Sequence, residues 1–241
     1  MRMGEFIELD EGINDKGILK VVFMAGLPGA GKSTISAKIT DGTVSPRIVN
    51  TDKSYEFLLK KYGQKSTNAA WALLGPASKQ INASSLAHYI NGMLPMFVDG
   101  SSANADALGR RVGILKSFGY DYSMVWIDIE YETALERIQQ RTRDVDLDFI
   151  QEVYSTIARN KEHYQHLFGN DFTIVDNNDN NFAAAESAVY TKATSFFSSG
   201  VANPVGQEII AALRENADKN LVPSICSEED IKAAVGKWYT P

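Results

Sequence analysis

The chain is short of several things that would have named a class at once. It holds a single cysteine, Cys226, in 241 residues, so an internal disulfide is excluded and no thiolate cluster is available to bind a metal. No apolar run approaches the ~20 residues a helix needs to cross a bilayer. The opening stretch, Met1 to Gly17, is acidic and lacks the basic-then-apolar order of a secretory leader. A reducing, cytoplasmic setting is therefore expected, the host cytoplasm if the chain is viral. Positive charge is also scarce: 24 Lys and Arg against 30 Asp and Glu leave a formal net charge of −6. That balance speaks against a broad basic surface gripping duplex nucleic acid through its phosphates, though not against a local basic groove. There is no internal repeat and no low-complexity tract. No Asn-Lys-x-Asp segment is present, which disfavours a GTPase switch.

What is present is a complete G-x-x-x-x-G-K-S loop, Gly26-Leu27-Pro28-Gly29-Ala30-Gly31-Lys32-Ser33. An apolar run, Ile18 to Met24, precedes it and a helical stretch, Thr34 to Ile39, follows, the context that makes this pattern a phosphate-binding loop. Its glycines permit close backbone approach to phosphate oxygens. The N–H groups of Gly29, Ala30 and Gly31 and the helix start at Ser33 and Thr34 then turn partial positive charge on the anion. Lys32 is expected to neutralise the β- and γ-phosphates, and the Ser33 hydroxyl to join the shell of a Mg²⁺ ion. The expected ligand is a nucleoside triphosphate, taken as ATP.

Around this loop the pattern alternates. Arg47–Asn50, Met96–Val98, Tyr122–Ile129 and Phe172–Val175 read as further strands. Helical periodicity fills the intervals, with the segment after Gly63 read as two pieces, Asn68–Leu74 and Ala77–Gly92, split at Gly75-Pro76. A long amphipathic helix is expected over Leu147–Phe168. Five strands alternating with helices predict an α/β fold of the P-loop NTPase type: a three-layer αβα sandwich around a five-stranded parallel sheet. Ligands of such sheets lie at the carboxyl ends of the strands. The expected organisation is a lead-in over 1–17, a phosphate-loop domain over 18–197, a linker near 198–204, and a small helical extension over 205–241. That extension is too short for a core of its own and is expected to pack on the main domain or on a partner.

Candidates for chemistry stand at three further places. Asp52, at the end of the second strand, can accept a hydrogen bond from an acceptor hydroxyl and take its proton; the alternative is an ordinary helix cap. Arg137 and Arg141 stand four apart, on one helical face, with Arg143 close behind. A guanidinium there can sit over the β/γ bridge of the triphosphate, with Arg141, at the helix-to-loop transition, ranked first. The alternative is a solvated face pairing with Glu136, Asp144 and Asp146. Asp99 ends the third strand before a glycine, either as a water-mediated Mg²⁺ ligand beside Ser33 or as a turn former. Asp128 and Asp176 read as local caps, while Asn177 and Asn178 are placed to reach an adenine edge.

Taken together, these pieces resemble the kinase domain of bacteriophage-type polynucleotide 5′-hydroxyl kinases and, more distantly, the zeta-toxin group of phosphate-loop kinases. The matching segments are Gly26 to Thr34, Val49-Asn50-Thr51-Asp52, Phe97 to Asn104, Arg110-Arg111, Phe118-Gly119-Tyr120, Trp126 to Ile129, and Leu135 to Arg141. The resemblance implies that Asp52 activates the acceptor hydroxyl, that Arg141 belongs to a lid over the triphosphate, and that Asp99 lies near metal and phosphates. One departure stands out: polynucleotide kinases carry an arginine three residues after the catalytic acid, where this chain has Tyr55. No second, phosphatase-like domain is present.

The expected activity is transfer of the γ-phosphate of ATP to a hydroxyl of a nucleic acid or nucleotide, such as a 5′-hydroxyl end or a hydroxymethylated pyrimidine in phage-type DNA. Two alternatives stand beside it: a zeta-toxin-like kinase of a nucleotide-sugar or small metabolite, and a non-catalytic nucleotide-dependent interaction module. Segment 62–95 is expected to cover the acceptor. Tyr62, Lys65, Trp71, Lys79, His88 and Tyr89 are its polar and aromatic offering, whereas Trp71, Leu73, Leu74, Leu86 and Ile90 also read as plain core.

Overall fold

The computed structural model describes residues 16–39, 45–100, 102–139, 147–178, 182–217 and 227–239. The apolar run before the phosphate loop becomes strand β1 (Lys20–Gly26), buried along its whole length. Its neighbours are β3 (Met96–Asp99) on one side and β4 (Asp121–Asp128) on the other, with β2 (Arg47–Val49) and β5 (Phe172–Asp176) at the edges. The order is β2-β3-β1-β4-β5 and every pairing is parallel. Continuous burial of the central strands is what a parallel sheet covered on both faces demands. The expected α/β architecture is the one observed.

One set of helices, α1 (Lys32–Ile39) and α7 (Phe182–Ser198), packs together and against β1. A second set, α4 (Ala105–Ser117) and α6 (Leu147–Phe168), packs together and against β4. Between β2 and β3 run α2 (Thr51–Lys61) and α3 (Asn68–Asn91), which pack on each other; α5 (Tyr131–Gln139) follows β4. The core is one cluster running from Leu19, Val21 and Phe23 on β1 through Met96, Phe97, Met124 and Trp126 to Tyr164 and Phe197. Tyr55, Leu58 and Leu74 form a smaller one between α2 and α3.

Two expectations are corrected. Gly75-Pro76 does not split α3, which runs unbroken over 24 residues. Proline disfavours helical geometry in the residue before it partly by a clash with that residue's Cβ, and Gly75 has none. The space is taken instead by Trp71, whose ring would lie 3.1 Å from a methyl group at Gly75. Ser78 also donates its hydroxyl to the Gly75 carbonyl at 2.8 Å. Leu73, read as core, is 73% exposed.

The stretch read as a linker is fastened. The buried Lys20 ammonium donates to Asp121 at 2.7 Å, to the Ser199 hydroxyl at 2.9 Å and to the Gly200 carbonyl at 2.8 Å. Asp121 in turn accepts the N–H groups of Ala202 and Asn203, each at 2.8 Å. A buried cation is tolerable only with such partners. Beyond it lies α8 (Pro204–Ala217), and Gly206 there meets Gly119 backbone to backbone, with no room for a Cβ on either. The next helix, α9 (Glu228–Trp238), is capped by Ser227, whose hydroxyl accepts the Asp230 N–H at 3.0 Å. It packs on α3 and α4 and buries Ile231, Val235 and Trp238 in the main core.

Candidate active site

The phosphate loop connects β1 to α1 at the carboxyl edge of the sheet. Gly26, Gly29 and Gly31 have φ of +144°, +90° and +87°, a region that side chains with a Cβ rarely enter. Packing closes the same positions. A methyl group at Gly29 would stand 2.8 Å from the Ala134 carbonyl of α5, and one at Gly31 would stand 2.9 Å from the Phe182 ring. The loop is therefore wedged between the helices that follow β4 and β5. The Lys32 ammonium folds back over it, donating to the carbonyls of Gly26 at 2.7 Å and Leu27 at 2.8 Å. Thr34 is exposed on the first turn of α1. The Ser33 side chain lies outside the described residues.

Asp99 ends β3, in register with Met24 of β1, so its carboxylate stands beside the loop's origin. It is 8% exposed and accepts a hydrogen bond from Asn50 Nδ2 at 2.8 Å. Asn50 serves two masters. Its Oδ1 caps α2, accepting the N–H of Asp52 at 2.7 Å and of Lys53 at 3.4 Å. The cap is thus Asn50, not Asp52, and the alternative reading of Asp52 as a capping residue falls. The Asp52 carboxylate is exposed, on the first turn of α2, with no hydrogen bond or ion pair among the described residues. The signal for Asn50 was present in the sequence: an Asn directly before a periodic helix is a cap signature.

After β3 the chain turns through Ser102, at φ +55°. The Tyr164 hydroxyl donates to the Ser102 carbonyl at 2.5 Å, and Asn160 Nδ2 donates to the Ala103 carbonyl at 2.6 Å. Helix α6 thereby pins the loop that leads away from Asp99. Burial pushes the Tyr164 phenol up to about 12, the hydrogen bond from Asn160 opposing the rise.

On the other flank Arg137 donates from its guanidinium to the Asn177 carbonyl at 2.9 Å. Asn177, 2% exposed, donates its own side-chain amide to the Ala30 carbonyl at 2.9 Å. Asn178 accepts the Glu130 N–H at 2.6 Å. The two asparagines, expected to face an adenine edge, instead tie the end of β5 to its neighbours. Asn177 does so through Nδ2 to the phosphate loop, its Oδ1 buried without a hydrogen-bond partner among the described residues, and Asn178 through Oδ1 to the residue before α5. Asp176 accepts from Asn178, local as expected, whereas Asp128 accepts from the Trp126 indole and from Lys161 of α6, 33 residues on, and so ties β4 to that helix. Arg141 and Arg143 lie outside the described residues.

Tyr55 faces inward. It is 1% exposed and meets Trp71 edge-on, ring centroids 4.8 Å apart, inside the small α2–α3 cluster. Lys65, Lys79 and His88 are exposed and Tyr89 is half-buried. No group of three or more His, Cys, Asp or Glu placed to hold a metal occurs among the described residues. No helix among them is long and apolar enough to cross a membrane.

A family model described as Zeta toxin matches residues 10–187. The chain belongs to the zeta toxin family. This zeta toxin family member is also 29% identical over 130 residues to a shikimate kinase of Corynebacterium glutamicum, a match covering 53% of this chain and 70% of that one. In fold it is similar to a candidate kinase of known structure from Chloroflexus aurantiacus, at TM-score 0.56 and 14% identity, over 74% of this chain and 98% of the other. Family and relatives agree on the chemistry: the protein is a P-loop phosphotransferase of the kinase type, for which ATP use is implied. The resemblance to bacteriophage polynucleotide kinases has no counterpart in these matches.

Proposed function

We propose that this protein transfers the γ-phosphate of ATP to the hydroxyl of a small, nucleotide-borne acceptor, a nucleotide-sugar first among them. One observation carries the reading: Asp52 stands exposed on a helix whose cap, Asn50, is tied to Asp99 beside the phosphate loop. A free carboxylate held at that edge suits a base that orients a hydroxyl, takes its proton as the oxygen bonds to the γ-phosphorus, and sees ADP leave with the bridging oxygen. Lys32 turns from the carbonyls of Gly26 and Leu27 to the phosphates. The backbone of Gly26, Gly29, Ala30, Gly31 and Thr34 cradles them, and Arg137, held at the Asn177 carbonyl, flanks the loop on the α5 side; Arg141 keeps the lid role that the motif resemblance implies. Ser33 and Asp99, hard oxygen donors, would hold Mg²⁺, which supplies charge neutralisation on the phosphates when bound.

Family membership and the shikimate kinase match favour a small acceptor. So does Tyr55, a buried tyrosine at the position where polynucleotide kinases carry the arginine that holds a strand phosphate. A nucleic-acid end or a hydroxymethylated pyrimidine in DNA is the second reading, favoured by the ordered motif resemblance along 18–168.

Labelled γ-phosphate offered with a panel of nucleotide-sugars, DNA and RNA 5′-hydroxyl ends and hydroxymethyluracil DNA distinguishes them. Label is expected in the nucleotide-sugar arm, and Asp52→Asn is expected to bind ATP yet lose transfer by about 10²–10⁴-fold. Label confined to DNA or RNA would replace the first reading by the second. ATP binding with no transfer to any acceptor would favour a nucleotide-dependent interaction module.

A further inference from the structure

Helix α3 buries one stripe at four-residue spacing: Leu74, Ser78, Asn82, Leu86 and Ile90. Asn82 is out of place in it, since a buried amide costs stability unless its hydrogen bonds are met. It is met by residues far away in the chain. Its Nδ2 donates to the Tyr239 phenol oxygen at 2.5 Å and to the Thr51 hydroxyl at 3.2 Å. Thr51 is the first residue of α2 and the immediate neighbour of Asp52. Tyr239 directly follows α9.

Helix α9 is itself held in register. Arg111 on α4 donates from Nε to the Trp238 carbonyl at 3.3 Å, and its guanidinium lies 5.3 Å from the centroid of the buried Trp238 ring. Burial pushes the Tyr239 phenol above its ordinary range, with Thr51, Asn82 and Arg111 opposing the rise. At neutral pH it is a protonated hydroxyl.

The turn that carries Asp52 is thus gripped from two sides. Asn50 ties it to Asp99 on β3, and Thr51 is tied through Asn82 to Tyr239. We propose that Tyr239 is a positioning residue for Asp52, and that α9 belongs to the phosphotransfer site. This rests on the reading of Asp52 as the base. The hydroxyl does not touch the reacting atoms; it fixes the backbone from which the carboxylate projects.

The test uses the full chain, with water as phosphoryl acceptor so that no acceptor need be identified. Tyr239→Phe keeps the ring and removes the oxygen; Thr51→Val cuts the same tie from the other end. Each is expected to lower kcat for ATP hydrolysis about tenfold, since small misplacements of a catalytic group are costly. Each should leave KM for ATP within about twofold. The double variant should be no worse than either single, because both cut one connection. Amide exchange at residues 51–55 should quicken in both singles while exchange in β4 stays unchanged. Independent, additive losses, or losses in which KM for ATP rises together with a general drop in stability, would overturn the proposal. So would unchanged exchange at 51–55. Asp52→Asn runs alongside: if it hydrolyses ATP like the parent protein, the assignment of the base fails, while the exchange arm still decides whether Tyr239 fixes this turn.

Discussion

Asn50 joins Asp99 to the turn of Asp52: its amide nitrogen lies 2.8 Å from the Asp99 carboxylate, while its carbonyl oxygen caps the helix that carries Asp52. One side chain therefore spans from the third strand, beside the nucleotide loop, to the first turn of α2. Replacing Asn50 with Ala should remove both bonds. Loss of such a cap costs about 1 kcal/mol, a small fall in the thermal midpoint. The loss in phosphotransfer should be larger than that stability change implies, because Asp99 and Asp52 would lose their common reference. Asn50→Ser restores a cap but cannot reach in the same way to Asp99. It should recover the melting temperature without recovering the rate, and equal recovery of both would refute the tie.

Gly31→Ala should damage nucleotide binding more than folding. Its φ of +87° disfavours a side chain, and the new methyl group would stand 2.9 Å from the Phe182 ring and 3.3 Å from the Asn177 amide. Left-handed backbone costs roughly 1–2 kcal/mol for a residue with a Cβ, and Phe182 and Asn177 must also move. Titration calorimetry with ATP should show affinity reduced by about tenfold or more, on the ~1.4 kcal/mol-per-decade scale. Unaltered affinity would mean that the loop tolerates the shift.

Alkaline pH should unfold the protein through its buried phenols. Burial raises Tyr120, Tyr164 and Tyr239, Tyr164 to about 12. Unfolded tyrosines ionise near ~10. Below that pH both states keep the proton and the stabilisation is fully present. Above it the unfolded chain gives up protons that the folded chain retains, so stability falls as pH rises from about 10 toward 12. Tyrosinate absorbance and circular dichroism should change together in that window. Tyrosinate appearing well before the loss of structure would show the phenols to be accessible.

The parts of this architecture that were legible in the sequence share a physical cause. Central strands buried on both faces must be continuous apolar runs, so Val21–Met24 and Met124–Ile127 announce themselves, and a phosphate cradle needs glycines at fixed spacing. Gly75-Pro76 misled because its breaking signal is local, whereas the ring of Trp71 and the missing Cβ of Gly75 allow the helix to continue. Asn177 looked like a ligand for a base because position relative to a strand says nothing of burial; only packing shows its amide on the Ala30 carbonyl. The contact of Asn82 with Tyr239 bridges a separation of 157 residues and left no mark in either local pattern.

The position of β2 has a wider consequence. The phosphate loop springs from the central strand β1, paired on both sides, whereas Asp52 follows a three-residue strand at the sheet's edge. Protection against local opening is greatest where pairing and burial are greatest. On the proposed reading of Asp52, handling of the donor rests on the doubly paired centre of the sheet, and choice of the acceptor on its margin. On that reading, substitutions along this margin should change what is phosphorylated while leaving ATP binding as it is.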